Sequence, residues 1–184
     1  MRLFIAIELD PVICQRLEEL QAGLQVGGID VKWVASANMH ITLHFLGETP
    51  STCLNSVKEA ISQGIGTFSP FCMQLQGIGV FPNLNRPRVI WVGVTSAVKN
   101  IKALHKSIGE RLILPGFVPE PRFTPHITLG RVRSLHHPEM LVPLLAKYAS
   151  VDVGKQKTTK ITLVESQLTR SRPIYQVVFR APLS

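Results

Sequence analysis

Apolar positions in this chain fall into short alternating runs, separated by stretches with helical spacing. Arg2 to Leu9 is an apolar run of strand formers. Asp10-Pro11 then opens a helix, with Asp as N-cap and Pro in the first turn. Val12, Leu17, Leu20 and Leu24 share one helical face, and Gly27-Gly28 end it. Val31 to Val34 reads as a short strand and Ser36-Ala37-Asn38 as a turn. His40 to Leu46 alternates and is closed by Gly47; Ser51 caps a helix to about Gln63. Phe71 to Ile78 is a strand, Phe81 to Pro87 a loop, and Arg88 to Thr95 a strand, followed by a helix over Ala97 to Leu112. Leu114 to Pro125 carries Pro115, Gly116, Pro119, Pro121 and Pro125 and predicts a stiff, exposed connection. A helix over Pro138 to Tyr148, a strand over Lys157 to Glu165, a loop over Ser166 to Pro173 and a strand over Ile174 to Arg180 complete the chain.

Two of the alternating runs contain the same four residues, His40-Ile41-Thr42-Leu43 and His126-Ile127-Thr128-Leu129, at an offset of 86 (126 less 40). On a strand, His and Thr point to one face and Ile and Leu to the other. The same offset lays Arg2-Leu3-Phe4-Ile5 on Arg88-Val89-Ile90-Trp91, the first helix on the Ala97–Leu112 helix, and Gln74-Leu75-Gln76 on Lys160-Ile161-Thr162. Each unit reads strand, helix, motif strand, helix, strand. A duplication follows, with two similar α+β lobes about a pseudo-two-fold axis that sets the His-x-Thr strands face to face. Units this small share packing, so residues 1–184 are expected to form one bilobal domain.

Composition narrows the class. Of 184 residues 45% are hydrophobic and 17% charged, which is globular rather than disordered. The net charge of +8 favours polyanions such as RNA, DNA or nucleotides. Cys14, Cys53 and Cys72 form no CxxC pair and read as reduced, mostly buried thiols of a cytoplasmic protein. The opening Met1 to Glu8 is too short and too quickly charged for a signal peptide, and no apolar run is long enough to span a bilayer.

The paired motifs suit acid–base chemistry on a phosphate. An imidazole titrates near roughly 6.5 and exchanges protons at neutral pH. Across one phosphate, a neutral ring takes a proton from the nucleophile while a protonated ring gives one to the leaving oxygen. Threonine hydroxyls two residues along the same face donate to the non-bridging oxygens. One His-x-Thr on a half-buried strand is ordinarily a satisfied polar pair; two copies at a constant offset favour a site. Metal binding competes, because His40 and His44 share a strand face and His126 can join them. Against it, Glu48 is the only carboxylate close in sequence, and a metal site has no use for the threonines. His44 is placed on the cleft rim, and His105, His136 and His137 at the surface.

His40-Ile41-Thr42-Leu43-His44-Phe45-Leu46-Gly47-Glu48 and Phe123-Thr124-Pro125-His126-Ile127-Thr128-Leu129-Gly130-Arg131 resemble the two motifs of the 2H phosphoesterases. Within that superfamily the chain is most similar to the RNA 2′,3′-cyclic phosphodiesterases, first described as 2′–5′ RNA ligases (LigT-like). The resemblance runs the whole length, through Arg2 to Glu8, Trp33 before Asn38-Met39-His40, Gly79 to Pro82, Arg86 to Trp91, and Val164 to Leu168 followed by Tyr175. Ser171-Arg172-Pro173 departs from a glycine common in the family and reads as loop variation.

The resemblance implies a bilobal fold with antiparallel sheets and an active cleft between the lobes. It implies hydrolysis of a terminal 2′,3′-cyclic phosphate to a 2′-phosphomonoester, with no metal or other cofactor. It makes His40 and His126 the catalytic pair, with Thr42 and Thr128 on the phosphate. For that product the 3′ oxygen leaves; His126 is assigned as base on the water and His40 as acid, and the pseudo-symmetry leaves the reverse assignment open. A 2′–5′ ligation can use the same cleft. The expected partner is RNA with cyclic phosphate ends, such as tRNA halves, or a small cyclic nucleotide, bound by a monomer away from any membrane. Candidate RNA contacts are Arg88, Arg122, Arg131, Phe123, Tyr175 and His44; Tyr175 follows a loop holding Arg170 and Arg172 and is placed to close over the nucleotide. Phe45 alternates away from His44 and is assigned to the core, and Trp33 and Trp91 to lobe packing. A non-catalytic RNA-end-binding protein is the alternative. A histidine-triad hydrolase needs His-x-His-x-His, and His40 to His44 lacks the middle ring.

Overall fold

The alternating runs form a single antiparallel sheet, and its strand order carries the positioning of the site. The computed structural model describes residues 1–25, 30–66, 68–118, 120, 122–134, 138–169 and 173–184. The readings made for Gly27-Gly28, Pro119, Pro121, His136, His137 and Arg170-Ser171-Arg172 lie outside the described residues. In chain order the elements are β1 (Arg2–Glu8), α1 (Pro11–Gln25), β2 (Asp30–Trp33), β3 (His40–Glu48), α2 (Leu54–Ile65), β4 (Phe71–Phe81), β5 (Val89–Val94), α3 (Val98–Leu112), β6 (His126–Ser134), α4 (Pro138–Lys147), β7 (Asp152–Thr158), β8 (Lys160–Leu168) and β9 (Pro173–Pro182). Single 3-10 turns form at Ser36–Asn38 and Ser51–Cys53. No helix among the described residues is long and apolar enough to cross a membrane.

The sheet runs β7-β4-β5-β6-β3-β1-β8-β9, with β2 alongside β6. Its two halves meet at the centre, where β3 and β6 share one bridged pair, Ile41 with Ile127. One half holds β1, β3, β8 and β9; the other holds β2 and β4 to β7. Helices α2 and α3 pack on each other and on the first half. Helix α1 lies on β7, and α4 lies along β4 and β5, its Val142 and Leu145 lining a groove with Ile78, Val80 and Trp91. The fold is α+β with two pseudo-symmetric lobes, as expected.

The lobes are not the two sequence units. The offset of 86 maps β1 on β5, α1 on α3, β3 on β6, α2 on α4 and β4 on β8. Each unit keeps its first strand, motif strand and second helix in one lobe. It sends its first helix (α1 or α3) and last strand (β4 or β8) into the other. The expectation that each unit folds into its own lobe is therefore corrected. One buried apolar cluster runs through this exchange, with Ile5, Ile41 and Leu163 from one half and Leu75, Val92 and Ile127 from the other.

A second correction concerns the Lys157–Glu165 strand, which the structure divides into β7 and β8. β7 hides from hydropathy because two of its buried positions are polar, Gln156 and Thr158. Gln156 is satisfied: its Oε1 accepts from the Asp10 amide at 2.9 Å and its Nε2 donates to the Glu8 carbonyl at 2.7 Å. The thiols also differ from expectation, since Cys14 and Cys53 are half-buried and Cys72 is exposed.

Gly64 lets α2 and α3 approach closely. A Cβ there would stand 2.7 Å from Ile108 Cα and 2.9 Å from its Cγ1, and Ser107 Oγ donates to the Gly64 carbonyl at 2.7 Å. Gly64→Ala is therefore expected to destabilise the fold by about 1–3 kcal/mol through overpacking, despite the better helix propensity of alanine. Urea unfolding measures this; unchanged stability would contradict the close packing.

Candidate active site

The bridged pair at the sheet centre fixes where the motif side chains go. Ile41 and Ile127 have no exposed surface, and Leu43 and Leu129 are buried beside them. The intervening His40, Thr42, His126 and Thr128 emerge half-buried on the opposite face. Continuing the Ile41–Ile127 register sets His40 across from Thr128 and Thr42 across from His126. All four line one cavity of about 330 Å³, walled by Lys32, Trp33, Phe45, Arg131, Pro173 and Tyr175.

Both imidazoles are held in the same tautomer. His40 Nδ1 lies 2.8 Å from the Asn38 carbonyl, and His126 Nδ1 lies 2.8 Å from the Thr124 carbonyl. A carbonyl only accepts, so each Nδ1 carries the hydrogen and each neutral ring keeps a lone pair on Nε2. Asn38 and Thr124 are themselves related by the offset of 86. Thr42 Oγ1 sits 2.9 Å from His40 Nε2 and donates to it in this state. Asn38 Nδ2 donates to the Pro173 carbonyl at 2.9 Å, which steadies the first latch. His40 stacks on Phe4 at 4.7 Å between ring centroids and meets Tyr175 edge-on at 5.5 Å. His126 meets Phe81 edge-on at 4.9 Å.

Burial makes both rings reluctant to charge. It pushes His40 from 6.5 down to about 4, and the His126 charge adds to this while the Asn38 carbonyl opposes it. Burial also lowers His126, helped by Arg131 and opposed by the Thr124 carbonyl. In the free protein both rings are thus proton acceptors at neutral pH. Glu8 is paired with His40 across β1 and β3, but its carboxylate is engaged elsewhere. Arg180 grips it through Nε and Nη2, each at 3.0 Å, and Thr162 donates to it at 2.8 Å; the Arg180 bond foremost brings Glu8 down to about 2. An anion entering the cavity finds His40 without a committed counterion among the described residues.

Matching β-bulges decide which neighbours reach the site. In β3, Ala6 faces Thr42 and Ile5 faces His44, so Leu43 is the extra residue. In β6, Trp91 faces Thr128 and Ile90 faces Gly130, so Leu129 is extra. Each bulge flips the residues that follow it, as far as a second irregularity at Leu46 in β3 and at Arg133 in β6. His44, expected on the rim, is 5% exposed and points into the core, where its Nε2 donates to the His105 carbonyl at 2.8 Å. That removes the shared face on which a His40, His44 and His126 metal site depended. Phe45, assigned to the core, is 65% exposed and lines the cavity. Arg131 occupies the equivalent place in β6 and lines the cavity.

The remaining candidates divide. Tyr175 lines the cavity and packs on Phe4 and His40. Phe123, expected to stack on a base, instead stacks on His105 at 4.2 Å between centroids, and His105 is buried rather than at the surface. Arg88 and Arg122 are exposed and are not among the residues lining the cavity. Lys32 and Trp33 were missed as wall residues. The signal for them is their register on β6, Lys32 opposite Arg131 and Trp33 opposite Gly130, which sequence alone does not supply.

Comparison with known proteins bears on the family and the fold. The family model described as LigT like Phosphoesterase matches residues 7–91 and again 92–175. The chain is 36% identical over 178 residues to an RNA 2′,3′-cyclic phosphodiesterase of Methanocaldococcus jannaschii, covering 97% of this chain and 98% of that one. It is 36% identical over 176 residues to the protein of the same name from Archaeoglobus fulgidus, covering 96% and 97%. Among solved structures, TT0787 of Thermus thermophilus superposes with a TM-score of 0.84 at 27% identity, over 100% of this chain and 98% of that one. Escherichia coli LigT in apo form gives 0.80 at 24% identity, over 100% and 97%, which speaks to the fold.

Buried neutral histidines make stability depend on pH. His40 and His105 are both lowered from 6.5 to about 4, chiefly by burial. Between those values the unfolded chain binds more protons than the folded one, so stability is complete above the upper value and falls as pH drops through the window. The urea midpoint is expected to decrease from pH 7 to 4.5, and less so in His105→Phe. A flat midpoint over that range would contradict the burial of these rings as neutral species.

Proposed function

The chain belongs to the LigT-like phosphoesterase family, and from that premise we propose that it opens RNA 2′,3′-cyclic phosphate ends to 2′-phosphomonoesters. The observation that carries this reading is the pair of imidazoles, one from each lobe, that line a single cavity with two threonines and carry their hydrogens on Nδ1. The relatives named RNA 2′,3′-cyclic phosphodiesterase support the substrate class. The two lobes act together as one domain, because each supplies half of the chemistry.

His126 Nε2 takes a proton from a water molecule, and the water oxygen attacks phosphorus in line with the 3′ oxygen. The bound anion draws a proton onto His40, whose Nε2–H gives it to the departing 3′ oxygen. One P–O bond forms and one breaks, leaving the phosphate on the 2′ oxygen. Protonation of His40 also ends its role as acceptor for Thr42, which frees that hydroxyl to donate to a non-bridging oxygen. Thr128 donates from the other lobe. The scheme moves protons only and uses no cofactor. A 5′-hydroxyl in place of water gives 2′–5′ ligation. Arg131 and Tyr175, at the cavity wall, hold the nucleotide.

Incubation of the protein with a cyclic-ended oligonucleotide in chelator is expected to yield a 2′-phosphate. His40→Ala and His126→Ala should each lower kcat by about 10²- to 10⁴-fold. Thr42→Ala and Thr128→Ala should each lower it by about 10²-fold or more. The rate should follow a bell in pH. Tight binding of RNA ends without turnover would instead make this an end-binding protein.

A further inference from the structure

We propose that His105, which lies outside both motifs and away from the cavity, is a positioning residue that sets the spacing of the two imidazoles across the cleft. The proposal rests on the functional reading above. His105 sits on α3 with its ring between two others. His44 lies on one side at 4.3 Å between centroids and 11° between planes. Phe123 lies on the other at 4.2 Å and 1°. The two outer rings belong to different lobes' site strands: His44 is four residues beyond His40 on β3, and Phe123 is three residues ahead of His126 on the segment that enters β6. The stack therefore ties the strand of one imidazole to the lead-in of the other.

Three features make this tie more than packing. The bulge at Leu43 aims His44 inward, and the His44 Nε2 bond to the His105 carbonyl locks β3 to α3 at 2.8 Å. Thr124, the neighbour of Phe123, supplies the carbonyl that holds His126 Nδ1, so any shift of Phe123 turns the His126 ring. Within the sheet, β3 and β6 share one bridged pair, Ile41 with Ile127. A single bridge leaves the angle between two strands free, and a second tie at a distance from it removes that freedom.

The stack is also one-sided. The offset of 86 puts Gly130 in the place of His44, Glu19 in that of His105 and Ala37 in that of Phe123, so duplication did not supply it. Its cost is visible: His105 Nε2 is buried without a hydrogen-bond partner among the described residues. A flat ring, not its nitrogen, is what the site uses.

The test compares His105→Ala with His105→Phe on a dinucleotide ending in a 2′,3′-cyclic phosphate, with the His126 Nδ1–H resonance followed by NMR. A displacement of about 1 Å costs on the order of 10²-fold in rate. His105→Ala is accordingly expected to lower kcat by about 10- to 100-fold with little change in KM, and to expose the Nδ1–H to rapid solvent exchange. His105→Phe, which keeps the stack and removes the orphaned nitrogen, should restore both. Phe123→Leu should reproduce the alanine result, and it decides the matter if His105→Ala does not fold. Wild-type kcat and a protected Nδ1–H in His105→Ala overturn the proposal, as does a loss that phenylalanine fails to restore. If the wild-type protein turns over no cyclic end, the functional reading fails, and the NMR comparison alone still decides the positioning role.

Discussion

Ile41 and Ile127 pair at the centre of the sheet with no exposed surface, and the proposed chemistry stands one residue to either side of them. Two apolar side chains driven into a common core oblige their neighbours to emerge on the other face. Because the pair joins two lobes, the emerging imidazoles come from opposite sides of one cavity. A one-residue slip in that register would put the histidines in the core and the isoleucines in the cleft. The exchange of α1, α3, β4 and β8 between lobes resists such a slip, since each lobe's sheet is completed by the other unit's strand.

The electrostatics follow from the same burial. His40 pays for its position against Phe4 and Tyr175 with a depressed affinity for protons, down to about 4. The carbonyls of Asn38 and Thr124 do not reverse that, but they choose which nitrogen faces the work. Glu8, the carboxylate nearest in register, is consumed by Arg180, Lys160 and Thr162. Among the described residues the cleft thus lacks a built-in anion at His40, and an incoming phosphate is the group that brings the second proton into play. A net charge of +8 favours that arrival.

Much of this was legible in the chain, and the gaps have physical causes. The two tetrapeptides, their offset and their strand period pointed to the four central side chains. Period two failed beyond Thr42 and Thr128 because each motif strand bulges at its leucine, and hydropathy does not register an extra residue. That single feature explains why His44 went to the core and Phe45 to the cleft. β7 was hidden by Gln156 and Thr158, buried polar positions whose burial only tertiary pairing reveals. The swap of elements between lobes leaves no trace in local pattern. His105 looked like a surface histidine on an amphipathic helix; its two ring partners come from 61 residues upstream (105 less 44) and 18 downstream (123 less 105).

The central claim is that two imidazoles from separate lobes act on one phosphorus atom. A crystal structure with a nucleoside vanadate, whose five-coordinate vanadium imitates the phosphorus in flight, tests this directly. The account requires His40 Nε2 and His126 Nε2 each within about 3.2 Å of an opposite apical oxygen. A complex in which both rings lie on the same side of the vanadium, or in which either ring stands beyond hydrogen-bond reach, would contradict it.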